Sequence, residues 1–525
     1  MLPPPVACGA PSTFRTWRAG QPEALCAVVD APTRVSGLVL PTGAGKSLIT
    51  TTLATLTGWR TVILTSTKAL QDQVGEAFPV TDLRGQSNYP CVALQLGGLF
   101  QQYRTSAGAG CDLGPCKVGL RCPLRDAGCA YFDALGAARR APVLVTNYQA
   151  WMAQQVYGEG LGTFDCLVCD EAHAAPDEVA QFLASTLSLK DLAEAGLPAP
   201  DDVETMDAWI DWADQQYAGL KRQVDRLGEQ VKLGAGPSDV QQLRGWRRTL
   251  GVVERLHGAT AEQWLVTVEG QTFHFHPLDI GAHVESVLFH DIPHVVLTSA
   301  TLTRKTAETL GLDPATVTWH EQPSTFPVER RPIVHVQTAR IDHRLDHTGT
   351  QLWLARVDQI LRARRDRKGI IHTGSYARAK LIYGYSEFSN DLILPTSTST
   401  RSAVAVFRAA GPGTVLVSPA LTTGFDFPDD ACEFQIILKV PWPDSREPVM
   451  VARTQQDKSY PAYVAMQALV QAVGRGMRSP SDRCETLILD DHVRWFLQTY
   501  RAFAPQWFLD AYRSSRTIPA PPPRL

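Results

Sequence analysis

A short apolar strand, Gly37-Leu-Val-Leu40, runs without a break into Pro41-Thr-Gly-Ala-Gly-Lys-Ser47 and from there into a helix-forming stretch. Few folds accommodate that order. A strand feeding a glycine-rich turn and a helix opens a parallel sheet covered by helices. At such a turn the backbone N–H groups and the helix N-terminus surround a polyphosphate. Thr42, Gly43, Ala44 and Gly45 would form the cradle, Lys46 would reach the β/γ-phosphates and Ser47 would ligate Mg²⁺. The strict phosphate-loop pattern has a glycine where this chain has Leu40, yet the order of the remaining residues is kept.

The same strand texture recurs at Thr61–Thr65, Val143–Thr146, Cys166–Cys169 and Val295–Thr298, and again at Gly369–Thr373, Thr414–Ser418, Phe434–Val440 and Thr486–Leu489. Two sets of short apolar strands predict two α/β domains. Directly after the strand ending at Cys169 stands Asp170-Glu-Ala-His173. There an Asp can hold Mg²⁺ and a Glu can orient and deprotonate an attacking water. Cys166 and Cys169, three apart in a strand, point to opposite faces and are expected as small buried hydrophobes rather than metal ligands.

Two stretches differ in character. Five cysteines, Cys91, Cys111, Cys116, Cys122 and Cys129, fall between residues 91 and 129. Their irregular spacing is not that of a zinc ribbon and suits a cluster held by a loop, although zinc on the same thiols is the alternative. The stretch 176–270 has its apolar residues at helical spacing and is expected to be a helical insertion. Trp209, Trp212 and Tyr217 are expected in its core rather than stacked on bases. The run Arg362-Ala-Arg-Arg-Asp-Arg-Lys368 reads as the solvated end of a helix.

With these motifs in hand, the chain resembles superfamily 2 helicases, and within them the iron–sulfur XPD/DinG family. Arg18-Ala-Gly-Gln21 is similar to the adenine-side element, and Thr65-Ser-Thr-Lys-Ala-Leu-Gln-Asp-Gln73 to the first DNA-contacting motif. Ser299-Ala-Thr-Leu302 resembles motif III, and Ser324-Thr-Phe-Pro-Val-Glu-Arg330 the junction into the second motor. Motif V is matched by Ser418-Pro-Ala-Leu-Thr-Thr-Gly-Phe-Asp426, with Gly424 and Asp426 at the nucleotide, and motif VI by Gln471-Ala-Val-Gly-Arg-Gly-Met-Arg478. Gln471, Arg475 and Arg478 would face ATP held by the first motor. Two guanidinium groups at i and i+3 share a helix face and can act as arginine fingers.

The resemblance implies two RecA-like parallel-sheet motor domains, with an iron–sulfur insertion and a mainly helical arch insertion in the first. Motor domain 1 is expected at 1–87, 133–175 and 271–327, the 4Fe-4S insertion at 88–132, the arch at 176–270 and motor domain 2 at 328–525. It implies Cys91, Cys116, Cys122 and Cys129 as cluster ligands, with Cys111 as the alternate to Cys116. Glu171 would be the catalytic base, Asp170 and Ser47 the Mg²⁺ ligands, and Lys46, Arg475 and Arg478 the phosphate-binding cations. The implied activity is ATP-dependent 5′→3′ translocation on single-stranded DNA with unwinding of forked DNA, in repair or replication, by a monomer, with a single-stranded-DNA-binding protein as a partner. RNA or RNA–DNA hybrid unwinding, and ATP-switched binding without unwinding, stay open as alternatives.

Fifty Lys and Arg against 53 Asp and Glu leave a formal charge of −3. A nucleic-acid surface must then be a local patch, because the whole-molecule field is not basic. With no signal-peptide pattern and no run of 18 apolar residues, the expected setting is the cytoplasm, with no membrane association, and the richness in Ala, Gly and Arg points to a bacterial or virus-infected cell, near the nucleoid. About 13 residues precede the first helicase-like element, so the exonuclease domain of some relatives, and nuclease activity, are not expected.

Overall fold

The computed structural model describes residues 2–95, 100, 110–126, 128–234, 236–342, 345–396, 400–418, 431–477 and 482–523, without the side chains of residues 400, 401, 418 and 475. The strands are β1 (Val35–Val39), β2 (Thr61–Thr65), β3 (Thr81–Asp82), β4 (Val143–Asn147), β5 (Cys166–Asp170), β6 (Ser185–Ser188), β7 (Trp264–Glu269), β8 (Thr272–Pro277), β9 (His294–Ser299) and β10 (Val317–Glu321). They continue with β11 (Ile333–Ala339), β12 (Gly369–His372), β13 (Leu392–Ile393), β14 (Val415–Ser418), β15 (Phe434–Ile437), β16 (Glu485–Asp490) and β17 (Tyr512–Ser515). Two seven-stranded sheets result, ordered β10-β1-β9-β5-β2-β4-β3 and β13-β14-β12-β15-β16-β11-β17. Every pairing in both is parallel. Strands β1, β2 and β5 are buried along their whole length, as expected of a sheet covered on both faces. The expected two α/β domains are therefore what the chain forms.

Register sets the functional edge. Strand β9 lies between β1 and β5, pairing Val39 with Ser299 and Asp170 with Thr298. The ends of three adjacent strands thus deliver the glycine-rich turn, Asp170 and Ser299 to one crevice, where ligands bind in open α/β sheets.

The stretch 176–270 carries two long helices, Met206–Lys232 and Pro237–Leu256, packed against each other. It is not purely helical. Strands β6 and β7 flank β8 in an antiparallel sheet that runs past residue 270. The sequence reading missed these strands because their signal is a short period-two alternation, with Trp264 and Val266 on β7 and Phe273 and Phe275 on β8 turned inward. Trp209 packs on Phe273 and Phe275 at centroid distances of 4.8 and 5.1 Å. Its indole donates to Val203 O and that of Trp212 to Pro198 O, so both are core residues. Tyr217 is partly buried and stacks on His257 at 4.4 Å.

The basic run behaves differently from its expectation. Arg362 is exposed, but Arg364, Arg367 and Lys368 are buried. Arg364 makes a two-pronged ion pair with Glu485 at 2.7 and 2.8 Å, and Lys368 donates to Arg408 O at 3.0 Å. A guanidinium can be buried in this way because its fork matches a carboxylate 121 residues away. Among the described residues, no helix is long and apolar enough to cross a membrane.

Candidate active site

The turn after β1 is shaped by two glycines in the left-handed region, Gly43 at φ 79° and Gly45 at φ 80°. Side chains there would be strained, which is why the backbone can curl before the helix Lys46–Thr57 begins. Gln21, the first residue of the helix Gln21–Val29, is buried beneath this turn. It accepts from Arg18 N at 2.9 Å and donates to Ala44 O at 2.8 Å, while Arg18 donates to Gly43 O at 3.2 Å. The element read as adenine-side is thereby tied to the glycine-rich turn.

Across the crevice, Glu171 adopts φ 50° and ψ 45°, a conformation that costs a non-glycine residue about 1–2 kcal/mol. The bend brings its carboxylate back over the strand ends. Glu171 Oε1 lies 2.9 Å from Lys46 Nζ, and Ser299 Oγ donates to Oε2 at 3.2 Å. His173 Nδ1 stands 2.7 Å from Ser299 Oγ and 3.3 Å from Glu171 Oε2. Burial opposes ionisation of Glu171, but Lys46 and His173 outweigh it and hold its carboxyl well below the usual range. Its neighbour Asp170 is pushed the other way, up to about 6, first by burial and then by the charge of Glu171. The adjacent carboxyls are thus driven apart, as in sites that separate a metal ligand from a base.

The second motor closes on this crevice. The turn Gly474–Gly476 follows the helix Tyr460–Val473, and a Cβ on Gly474 would come within 2.9 Å of Thr42 Oγ1. Gln471 lies on the last turn of that helix. Arg478, Gly424 and Asp426 lie outside the described residues, as does the side chain of Arg475. The structure therefore brings together Gln21, Thr42–Ser47, Asp170 and Glu171. His173 and Ser299 join them; the sequence reading quoted His173 without a role and placed Ser299 in the motif that couples hydrolysis to movement, without predicting that either would contact Glu171. Their signal was the adjacency of two short polar motifs to strand ends.

The cysteines singled out in the sequence divide into two kinds. Cys166 and Cys169 are buried in β5, and burial pushes both thiols up to about 12, so they are inert packing residues as expected. Of the clustered five, Cys91 and Cys111 are buried and the others partly so. The thiols of Cys91 and Cys116 both flank Gly114, 3.3 and 3.5 Å from where its Cβ would stand. Burial, then the neighbouring Cys129 and Cys91, raise the Cys111 thiol, and burial, then Cys122, Cys91 and Cys129, raise that of Cys116. Among the described residues, no group of three or more Cys, His, Asp or Glu is arranged to hold a metal ion. Helix Pro237–Leu256 docks on this segment, with Arg244 donating to Leu113 O and Arg247 to Lys117 O at 2.8 Å.

Residues 360–510 match the family described as Helicase C-terminal domain, and residues 15–194 match that of the type III restriction enzyme res subunit. No curated protein sequence matches. Among solved structures the chain is similar to an XPD helicase, at 14% identity and a TM-score of 0.58 over 95% of this chain and 99% of that one. Xpd4 of S. tokodaii matches at 12% identity and a TM-score of 0.58 over 95% and 100%, and an apo XPD at 12% and 0.55 over 94% and 99%. The second motor therefore carries a segment matching a helicase C-terminal domain, the first carries the crevice described above, and the fold over nearly the whole length is similar to that of XPD structures.

Proposed function

We propose that this protein is an ATP-dependent DNA helicase that moves 5′→3′ on single-stranded DNA and opens forked duplexes. The observation that carries the reading is the crevice in which Lys46, Asp170, Glu171 and Ser299 meet while the Gly474–Gly476 turn of the second motor abuts Thr42. ATP seated there touches both motors, so its binding and hydrolysis open and close the cleft between them. Lys46 exchanges Glu171 for phosphate oxygens, which frees the Glu171 carboxylate to take the proton of the attacking water. Ser299 and His173 keep that carboxylate oriented. Ser47 and Asp170 would hold Mg²⁺, which supplies charge neutralisation at the phosphates. Arg475 and Arg478 stabilise the charge that develops on the transferred phosphoryl group.

For the cysteine segment we propose a structural 4Fe-4S cluster on Cys91, Cys116, Cys122 and Cys129, with Cys111 as the alternate to Cys116. What supports it is donor chemistry alone: five thiols share one neighbourhood, and Cys91 and Cys116 flank Gly114, although no three of the described side chains converge on one metal position. No step of hydrolysis passes through it. Iron and acid-labile sulfide in equal amounts in anaerobically purified protein support the cluster. Zinc without sulfide overturns it.

The activity is tested with strand displacement on 5′-tailed and 3′-tailed DNA duplexes and on RNA duplexes, alongside ATP hydrolysis. Displacement confined to the 5′-tailed DNA is the expected result. Preference for RNA, or hydrolysis without displacement of any duplex, would replace this reading with an RNA helicase or with an ATP-switched binding factor.

A further inference from the structure

We propose that Trp507, on the short helix Gln506–Ala511 of the second motor, is a positioning residue that couples the placement of that motor to the alignment of Glu171. The inference rests on the helicase reading and deepens it. Trp507 Nε1 donates to Ala300 O at 2.9 Å, and both residues are buried. Ala300 directly follows Ser299, whose hydroxyl donates to Glu171 Oε2. One peptide therefore separates a bond to the second motor from a bond to the base.

The far side of Trp507 is equally constrained. Its own carbonyl accepts from Arg331 Nη1 at 2.6 Å, and Arg331 Nε donates to Phe326 O at 3.0 Å in the segment that joins the motors. The guanidinium carbon also stands 5.9 Å from the indole centroid. Trp507, Ala300, Arg331 and Phe326 are each 5–7% exposed, so no long solvated side chain takes up slack between them. Packed, hydrogen-bonded groups of this kind pass on a displacement rather than absorb it.

Other contacts cross between the motors nearby: Lys305–Asp457 at 2.7 Å and Thr306–Tyr463 at 2.9 Å hold the helix Arg304–Thr309, beyond the strand end, and Gln506 N donates to Glu321 Oε1 at 2.8 Å at the end of β10. The indole instead grips the residue next to Ser299. When the second motor shifts, the Ala300 carbonyl is pulled and the Ser299 hydroxyl moves with it relative to Glu171. The base is then aligned only in the arrangement in which the second motor is seated.

The experiment uses the full chain with Trp507→Phe and, as a closer isostere, benzothienylalanine placed at 507, which keeps the bicyclic shape and lacks the N–H. Kinetics of ATP hydrolysis with and without single-stranded DNA, base pairs opened per ATP, and Tm are measured for each. We expect Tm and the KM for ATP to stay near wild type. The DNA stimulation of kcat should fall roughly tenfold, in line with losing one buried hydrogen bond, and base pairs opened per ATP should fall with it. Wild-type stimulation and coupling in the isostere would overturn the proposal. A stimulation loss seen only in Trp507→Phe and matched by a drop in Tm would overturn it too, since packing would then explain the effect. If the wild-type protein hydrolyses ATP without any response to DNA, the helicase reading falls and this inference falls with it.

Discussion

Asp170 and Asp490 occupy like positions in the two motors, each the last residue of an interior strand of an all-parallel sheet. Their surroundings differ in one respect. Asp490 Oδ1 accepts from Ile341 N at 3.2 Å and His492 N at 3.0 Å, and Oδ2 accepts from Val440 N at 3.0 Å. Backbone N–H groups following β11 and β15 and at the start of the helix His492–Thr499 consume its acceptor capacity, so it ties strand ends together. The Asp170 carboxylate accepts from Glu171 N alone among the hydrogen bonds described, and burial raises it to about 6. A carboxylate left under-satisfied by the protein is one a cation can use. On the proposed reading, the same backbone plan makes one strand end structural and the other chemical.

The largest effect should come from removing the chemistry of the first motor. Glu171→Gln or Lys46→Ala is expected to lower DNA-stimulated ATP hydrolysis by about 10³-fold, within the range for losing a general base or a phosphate clamp. Thermal melting of the same variants should show that the fold survives. Near-wild-type turnover in either would break the assignment of the crevice.

The comparison itself is tested by a pair of substitutions read in opposite assays. Asp490→Asn should cost about 2 kcal/mol of stability, because an amide cannot accept from all three N–H groups. Asp170→Asn should leave denaturant midpoints nearly unchanged and abolish Mg²⁺-dependent hydrolysis. If Asp170→Asn proves the more destabilising of the two, the contrast between the strand ends is wrong.

A smaller effect follows from the shifted acid. The folded-state value for Asp170 is raised, so the folded protein binds this proton more tightly than the unfolded chain. Its contribution to stability therefore declines as pH rises from about 4 through about 6. If Asp170 holds Mg²⁺ as proposed, the proton competes with the metal. The Mg²⁺ needed for half-maximal hydrolysis should rise about fourfold between about pH 7.5 and about pH 5.5, as expected for a ligand that must be deprotonated. A flat Mg²⁺ requirement across that range would show that Asp170 is not a ligand.

Much of this was legible in sequence because the signals are local. The strand feeding Pro41–Ser47 and the acidic pair after Cys169 both occur within a few residues, and the recurring apolar runs located strands of both sheets. Burial of Trp209 and Trp212 followed from helical spacing. What was missed depends on distant partners. Arg364 looked solvent-bound until Glu485 met it, and the period-two pattern of β7 and β8 became a sheet only when β6 paired with β8. Trp507 carries no motif, and its partner Ala300 lies 207 residues away.

From the sequence alone came the class of fold and the short list of residues able to hold phosphate, metal and a proton, since backbone conformation and side-chain chemistry are properties of neighbouring residues. Tertiary structure decided which of those groups are left unsatisfied and which are tied to the other motor. It also made Ser299 and His173 part of the site and turned Asp490 into a brace. Most hydrogen-bond partners for a strand end such as Asp490 come from segments far along the chain, and only the folded arrangement determines how many arrive.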